Sequence, residues 1–336
     1  MSNKLSNNFN DVLSLIEQAK NRVNVYVNKE LMNLYIGIGE YVSKKVDADG
    51  WGKNTVKMLA DFLIEKYPDV KGFSAQNIWR MKQFYETYRA DEKLSTLSRE
   101  LSWSNNCIIF SRVKTAEERE FYLKIAKMER YSARELERQI DSSLFERVAI
   151  SDAKKSLGLI PASETLGSIR DNYMLEFLSL QEGFKEKDLR KQIVSNLKQF
   201  VLEFGKDFVF VGEEYRVQVG NEDFYIDLVF FHRELSCLVA FELKIDKFKP
   251  EHIGKMNFYL EALDRDVKKD KENPSIGVIL CTDKDEDVVK YALSRNISPT
   301  LVAEYKTKLI DKSILQRKLH EFYELAQSDK VLEGIE

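Results

Sequence analysis

Three charged residues lie within the two apolar runs of residues 226–244, IDLVFFHRELSCLVAFELK. Asp227 stands near the start of the first run, and Glu242 and Lys244 end the second. A charge buried without a partner costs several kcal/mol, so each of these groups needs an ion pair, a metal ion or water. The pattern therefore singles out a cluster of charge that has to be compensated, and this makes it a candidate site for chemistry.

The spacing predicts how these groups meet. Residues two apart on a strand share a face, so Glu242 and Lys244 point the same way, and the HREL connection at 232–235 suits a hairpin that brings Asp227 near Glu242. Two carboxylates can then share a Mg²⁺ or Mn²⁺ ion, which polarises a phosphoryl oxygen and lowers the pKa of water. Lys244 would orient that water or stabilise the developing charge. The plain alternative is that Glu-Leu-Lys is a common tripeptide whose charges face solvent or pair with each other.

Composition narrows the other options. A chain of 336 residues, 43% hydrophobic and 32% charged, is typical of a soluble globular protein with two domains. Its net charge of −3 gives no indication for or against binding to nucleic acids. Three histidines and three cysteines are scattered without a zinc-binding cluster, and no Walker, Gly-x-Ser-x-Gly or Gly-x-Gly-x-x-Gly stretch occurs. The N-terminus carries no signal-peptide pattern and no run would span a bilayer, so we expect a cytoplasmic protein without membrane contact.

Periodicity divides the chain into two halves. Residues 9–150 show apolar positions every three or four residues and predict an all-α domain. Residues 151–172 concentrate Ser, Gly, Ala and Pro and predict a linker, with the boundary near residue 170. From residue 173 to 325 the order α-β-β-β-α-β-α-β predicts an α/β domain with a central mixed sheet, so the whole chain is α+β.

The helical half contains an outline similar to a helix-turn-helix. Two helices flank a turn at residues 68–73, with Ser74 as the N-cap of the second. Gln76, Arg80 and Gln83 share the polar face of that second helix, where they could contact DNA. An ordinary amphipathic helix with a polar outside fits the same pattern.

The second half also resembles a known family, through the stretches FVFVGEEYRV, YIDLVFFHREL, AFELKIDKFKPEHIGKMNFYL and SIGVILCTDKDEDVVKYAL. These resemble the YhcG family of PD-(D/E)XK nucleases, and the stretches WGKNTVKMLADFLIEKYPDVKGFSAQNIWRMKQFYETY, LSWSNN and YSARELERQI resemble the helical domain of that family. The resemblance implies a restriction-endonuclease-like fold and Mg²⁺- or Mn²⁺-dependent cleavage of nucleic acid. DNA is the expected substrate, in repair, recombination or defence against foreign DNA.

The resemblance also implies roles for individual residues. It makes Asp227 the central metal ligand, Glu242 the second ligand and Lys244 the catalytic lysine. The acidic residue that related nucleases carry on the first helix best matches Glu203 in FVLEFG. For Glu203, a solvated glutamate at a helix end is an equally good interpretation.

Two other acidic residues, Glu186 and Asp188, are the substitutes for Glu203. On the helix after the catalytic motif, Glu251, Lys255 and Tyr259 recur every four residues and form one stripe. Related nucleases often place Gln where Lys255 stands, so the resemblance implies a DNA-facing role for Lys255 and Tyr259 with an altered charge.

Two hypotheses from other classes stand beside the nuclease. One is a DNA-binding or complex-assembly protein that keeps the nuclease fold with weak or no catalysis. The other is an interaction scaffold built on the helical half. A homo-oligomer or a protein partner is compatible with each hypothesis, and the presence of all three residues Asp227, Glu242 and Lys244 favours the nuclease.

Overall fold

The structure is a computed structural model, and it divides into two compact units, Met1–Ile140 and Asp141–Glu336. It describes the following ranges of the chain: 27–68, 71–156, 169–296 and 298–333. In those ranges no helix combines the length and the apolar character needed to cross a membrane.

The first unit is helical throughout its described part. Its helices are α1 (described over 27–49), α2 (Lys53–Lys66), α3 (Ala75–Tyr88), α4 (Glu92–Ser98), α5 (Trp103–Arg112), α6 (Ala116–Met128) and α7 (Ala133–Asp141). Five of these helices begin with an N-cap side chain that accepts a hydrogen bond from a backbone N–H of the first turn, which satisfies a donor that the helix itself cannot. The caps are Ser74, Asp91, Ser102, Thr115 and Ser132.

Helix α3 buries one face. Ser74 is the N-cap, Ile78 and Met81 are fully buried, and Tyr88 is nearly so. Gly39 of α1 lies against this helix so closely that an added Cβ would come within 2.1 Å of the backbone oxygen of Met81. The absence of a side chain at Gly39 is therefore what allows α1 and α3 to approach.

The second unit is an α/β domain. Its elements are α8 (Leu144–Ser156), β1 (Asn172–Met174), α9 (Glu186–Ser195), α10 (Leu197–Phe204), β2 (Phe208–Val219), β3 (Glu222–His232), β4 (Cys237–Leu243), α11 (Glu251–Asp266), β5 (Asn273–Cys281), α12 (Glu286–Leu293), β6 (Thr300–Lys306) and α13 (Lys312–Glu333). The strands form one six-stranded sheet in the order β1-β6-β5-β4-β3-β2. β3 runs antiparallel to both of its neighbours, β2 and β4, whereas β4, β5, β6 and β1 are parallel. The predicted fold class, a helical region followed by an α/β domain with a mixed sheet, is confirmed.

The two faces of the sheet are covered by different helices. On one face, Leu189 of α9 and Phe200 of α10 pack against Phe230 and Phe241. On the other face, Met256 and its neighbours on α11 pack against the sheet. Because every residue of β4 is buried, this central strand is a nearly continuous apolar run, and Glu242 stands out in it.

Three features differ from the sequence-based prediction or go beyond it. The first helix of the predicted α-β-β-β-α-β-α-β order is two helices in the structure, α9 and α10, separated at Asn196, whose φ of −115° and ψ of 31° are not helical. The short edge strand β1 was not predicted. Residues 151–156 of the predicted linker form the end of α8, and residues 157–168 lie outside the described residues, so the linker remains a prediction.

Candidate active site

Asp227 lies on β3, one residue before the segment of this strand that pairs with β4. The two strands pair antiparallel as far as Leu228 opposite Phe241, and this register, continued by one residue, sets Asp227 opposite Glu242. Opposite residues on neighbouring strands point to the same face of the sheet. The Oδ2 of Asp227 accepts a hydrogen bond from the backbone N–H of Leu243 at 2.9 Å. The fold thus brings the two carboxylates of interest to neighbouring positions.

Glu242 is a carboxylate with no exposed side-chain surface. Its Oε1 accepts hydrogen bonds from two ammonium groups, Lys255 Nζ at 2.6 Å and Lys244 Nζ at 3.0 Å. Its Oε2 is buried and has no hydrogen-bond partner among the residues that the structure describes. Leaving a buried acceptor unsatisfied is unfavourable, and a bound cation is one way to satisfy it.

Lys244, directly after β4, lies between two carboxylates. Besides Glu242, its Nζ contacts Oε1 of Glu186, the first residue of α9, at 2.9 Å. Burial alone would lower the pKa of Lys244, but the charges of Glu242 and Glu186 outweigh burial and raise that pKa. Lys244 is therefore held as an ammonium ion between the carboxylates of Glu242 and Glu186.

Arg190, one turn after Glu186 on α9, is a residue of the site that the sequence did not reveal. Its Nη1 donates to Oδ1 of Asp227 at 2.9 Å, and its Nη2 donates to Oε1 of Glu214 on β2 at 2.6 Å. Both oxygens of Asp227 are thus hydrogen-bonded within the protein. The spacing of four residues between Glu186 and Arg190, which puts both on one helix face, is the signal that could have found Arg190.

Glu203 does not occupy the position expected from the family resemblance. Its Oε1 accepts hydrogen bonds from Arg147 at 2.9 Å and from the backbone N–H of Met174 at 2.8 Å. Met174 belongs to the edge strand β1, which is separated from β4 by two strands. Glu203 is fully buried in this ion pair and is not a solvated helix end either. Glu186, one of the two substitutes, is the helical carboxylate that the structure brings to Lys244.

The stripe on α11 is only partly at the surface. Lys255 is about half exposed and contacts Glu242, so it faces the site as expected. Tyr259 is 3% exposed, and its hydroxyl donates to the carbonyl oxygen of Tyr225 at 2.6 Å. Its ring is packed below Lys255, whose Nζ lies 5.3 Å from the ring centroid, and the DNA-facing role expected of Tyr259 remains a prediction.

In the first unit, Gln76, Arg80 and Gln83 lie on α3 away from its buried face. Their placement agrees with the predicted polar face. Contact of these residues with DNA remains a prediction.

The residues of the site suit a divalent cation in their chemistry. Within the described ranges, no group of three or more His, Cys, Asp and Glu side chains is arranged to hold a metal ion. The candidate ligands are therefore a pair, Asp227 and Glu242, rather than a complete cage. Carboxylate oxygens are the ligands that Mg²⁺ and Mn²⁺ prefer, and the unpartnered Oε2 of Glu242 is the atom that such an ion would satisfy.

Comparison with known proteins matches both halves of the chain to protein families. Residues 166–320 match the family described as "YhcG PDDEXK nuclease domain", and residues 11–147 match the "DUF1016 N-terminal domain". Over 345 residues the chain is 31% identical to "Putative nuclease YhcG" of Escherichia coli (strain K12), and 92% of each chain is covered.

Solved structures are similar over a smaller part of the chain. A repair endonuclease from Pyrococcus abyssi is 13% identical, with a TM-score of 0.27 over 39% of this chain and 50% of that one. The structure of an EndoMS-dsDNA2 complex is 12% identical, with a TM-score of 0.27 over 38% of this chain and 51% of that one. The similarity to the E. coli protein extends over nearly the full length of both chains, and both halves match family models. This chain therefore belongs to the YhcG family, with a DUF1016 N-terminal domain followed by a PDDEXK nuclease domain.

Proposed function

We propose that this protein is a metal-dependent nuclease that hydrolyses phosphodiester bonds in DNA. Membership of the YhcG family supports the reaction class. The observation that carries the proposal is the buried carboxylate of Glu242, whose Oε2 has no hydrogen-bond partner in the described part of the chain and which stands opposite Asp227 and beside Lys244. A chain that needed Glu242 only for folding would gain stability by satisfying or removing that oxygen.

The residues have separate roles in this proposal. Asp227 and Glu242 hold a Mg²⁺ or Mn²⁺ ion, which, when bound, supplies the Lewis acid that polarises the phosphoryl group. The ammonium group of Lys244 donates hydrogen bonds to the attacking water or to the oxygen on which negative charge develops. Glu186 positions that ammonium through its 2.9 Å contact. The two carboxylates therefore act on the cation, whereas the ammonium group acts on the water or on the phosphoryl oxygen.

Lysine side chains beside the site support a nucleic-acid substrate, although Lys249 also pairs with Asp246 at 3.0 Å. Lys247 and Lys249 are exposed in the segment that follows β4, and Lys255 is about half exposed. Lysines at such positions contact phosphate groups without reading the sequence. We propose that they guide a DNA backbone to Lys244 and that the polar face of α3 adds further contacts. A role in repair, recombination or defence, in the cytoplasm, remains the expected setting.

A cleavage assay tests the proposal. Linear, branched and single-stranded DNA, with an RNA control, are incubated with the full chain while Mg²⁺ or Mn²⁺ is titrated. We expect cleavage that depends on the cation and is lost in Asp227→Asn, whereas Asp223→Asn, an exposed carboxylate on the same strand, keeps it. Cleavage that persists in Asp227→Asn, or that ignores chelation of the cation, would contradict the proposed site.

A DNA-binding protein without catalysis is the second candidate. It is favoured by one observation, which is that both oxygens of Asp227 already accept hydrogen bonds from the protein. A chain that binds DNA but leaves every substrate intact at all cation concentrations would support this second candidate.

A further inference from the structure

Arg190 contacts the carboxylate that the proposed function assigns to a divalent cation. Its guanidinium lies between Asp227 and Glu214, with one hydrogen bond to each. The side chain of Arg190 is 12% exposed, and its Nε is buried without a hydrogen-bond partner in the described ranges. The guanidinium is therefore held in place by two carboxylates and uses only part of its hydrogen-bonding capacity.

Glu214 is placed in an unusual way for this contact. On β2, Glu213 pairs with Leu228 and Tyr215 with Ile226, so Glu214 is level with Asp227. The backbone of Glu214 has a φ of +44°, a left-handed conformation that is unfavourable for a residue with a side chain. Backbone strain of this kind is found where a side chain has to be aimed. Here it accompanies the contact between Glu214 and Arg190.

The two candidate ligand carboxylates are not equally accessible to a cation. Glu242 has an oxygen, Oε2, with no hydrogen-bond partner among the described residues, whereas the oxygens of Asp227 are taken by Arg190 and by the backbone of Leu243. Each oxygen of Asp227 keeps a second lone pair, but a cation that reaches Glu242 directly meets the positive guanidinium of Arg190 at Oδ1 of Asp227 and has to compete with that charge. The backbone hydrogen bond at Oδ2 keeps the carboxylate oriented while this exchange takes place.

We propose that Arg190 is a positioning residue that competes with the divalent cation for Asp227, and that Glu214 is the partner on which its guanidinium remains when the cation binds. This inference rests on the metal site of the proposed function. Glu214 has 60% of its side chain exposed, so it has room to accept a second hydrogen bond from Arg190. A two-bonded pair between arginine and a carboxylate is a favourable geometry, which compensates for the hydrogen bond that Arg190 gives up at Asp227. Affinity for the cation is then set jointly by Arg190 and Glu214.

Calorimetric titration of Mn²⁺ into the full chain tests this. A hydrogen bond from a charged group is worth roughly a factor of ten in affinity, and Arg190→Gln removes the charged group that competes with the cation for Asp227. This variant is therefore expected to bind Mn²⁺ about ten times more tightly than the wild type. Arg190→Lys, which keeps the positive charge, is expected to return towards the wild-type affinity. Glu214→Gln is expected to weaken Mn²⁺ binding, because Arg190 then has Asp227 as its remaining carboxylate. Since Glu214 is exposed, this variant tests the inference even where a change at Arg190 impairs folding.

A double-mutant cycle separates this mechanism from a general change in charge. If Glu214 acts through Arg190, the substitution Glu214→Gln has no effect on Mn²⁺ affinity in the Arg190→Gln background, whereas a long-range field effect would be the same in both backgrounds. Arg216→Gln is the matched control for the field, because Arg216 lies on the same strand as Glu214 and pairs with Asp223.

The outcomes distinguish two kinds of failure. Equal affinities of the wild type and Arg190→Gln, or weaker binding in Arg190→Gln, would overturn this inference alone. A wild type that binds no Mn²⁺ at all would overturn the proposed metal site and this inference with it. Additive effects of the two substitutions would also overturn it, because Glu214 would then act independently of Arg190.

Discussion

Glu242 and Glu203 are both glutamates without exposed side-chain surface, yet their surroundings differ. Glu203 has a guanidinium and a backbone N–H on one oxygen, and these groups belong to elements of the fold, α8 and β1. Glu242 has two ammonium groups on one oxygen, while its other oxygen has no hydrogen-bond partner among the described residues. The first arrangement stabilises the fold, and the second is suited to binding a cation.

Substituting Lys244 by alanine tests its separate role. We expect cleavage to fall by about 10²–10³ because one donor to the developing charge is removed. Mn²⁺ binding is expected to be kept or tightened, since an ammonium group does not ligate a cation and its positive charge beside Glu242 opposes one. Cleavage rates and calorimetric Mn²⁺ binding are measured on the same preparation, with Lys290→Ala, an exposed lysine of α12, as the control. Loss of Mn²⁺ binding together with cleavage would assign Lys244 to the structure of the site.

Substituting Glu203 by glutamine is expected to act on stability. The change leaves the buried charge of Arg147 without its ionic partner, and we expect it to lower the free energy of unfolding by about 3 kcal/mol. Urea unfolding followed by circular dichroism measures this loss, and Mn²⁺ affinity is measured beside it. An unchanged stability with loss of Mn²⁺ binding would return Glu203 to the active site.

At the scale of the elements, local patterns predict the sheet well and long-range pairing poorly. The apolar runs of β3, β4 and β5 and the amphipathic pattern of α11 are visible in the sequence, because burial on one or both faces of an element leaves a period in it. The three-residue strand β1 is too short to show a period. The partner of Glu203 is Arg147, 56 residues earlier in the chain, and Arg190 meets Asp227 only after α9 packs on the sheet. Contacts of this kind depend on tertiary packing: the spacing of Glu186 and Arg190 shows a shared helix face, but it does not show which distant residue that face will meet.

The contact between α1 and α3 gives a prediction for the helical unit. Gly39→Ala would bring a methyl group against the backbone of Met81, so we expect it to destabilise this unit by about 1–3 kcal/mol or more. Gly37→Ala on the same helix meets no atom within 4 Å and is expected to be neutral or slightly stabilising. The three tryptophans, Trp51, Trp79 and Trp103, all belong to this unit, so unfolding followed by tryptophan fluorescence reports on it selectively. Equal stability of the two variants would contradict the close approach.

At the scale of the whole molecule, the contacts of α8 place this helix in the second unit. The second unit starts at Asp141, and α8 packs with α13 in that unit, where Glu146 contacts Lys312 at 3.1 Å and Gln316 at 3.3 Å. The change of composition across residues 151–173 predicts a boundary near 170, because the helical period of the first half gives way there to strand-like apolar runs. The amphipathic pattern of α8 resembles that of the preceding helices, and only its tertiary contacts assign it to the second unit.

Limited proteolysis tests the predicted linker. We expect chymotrypsin to cut first within residues 151–173, at Leu157 or Leu159, because this stretch lacks a sustained apolar period. The masses of the fragments locate the cut. First cuts near residue 141, with protection of residues 151–173, would show that the protease reaches the chain where the two units meet in sequence. That result would refute the predicted linker.

The most direct test of the central claim, that Asp227 and Glu242 form a cation site, is anomalous diffraction from crystals of the full chain soaked in Mn²⁺. The account predicts an anomalous peak at a coordination distance of about 2.1 Å from carboxylate oxygens of both residues, with Oε2 of Glu242 among the ligands. It also predicts that the peak is absent in crystals of Glu242→Gln. A peak bound by other residues, or none at Asp227 and Glu242 in a protein that cleaves DNA with Mn²⁺, would contradict the account.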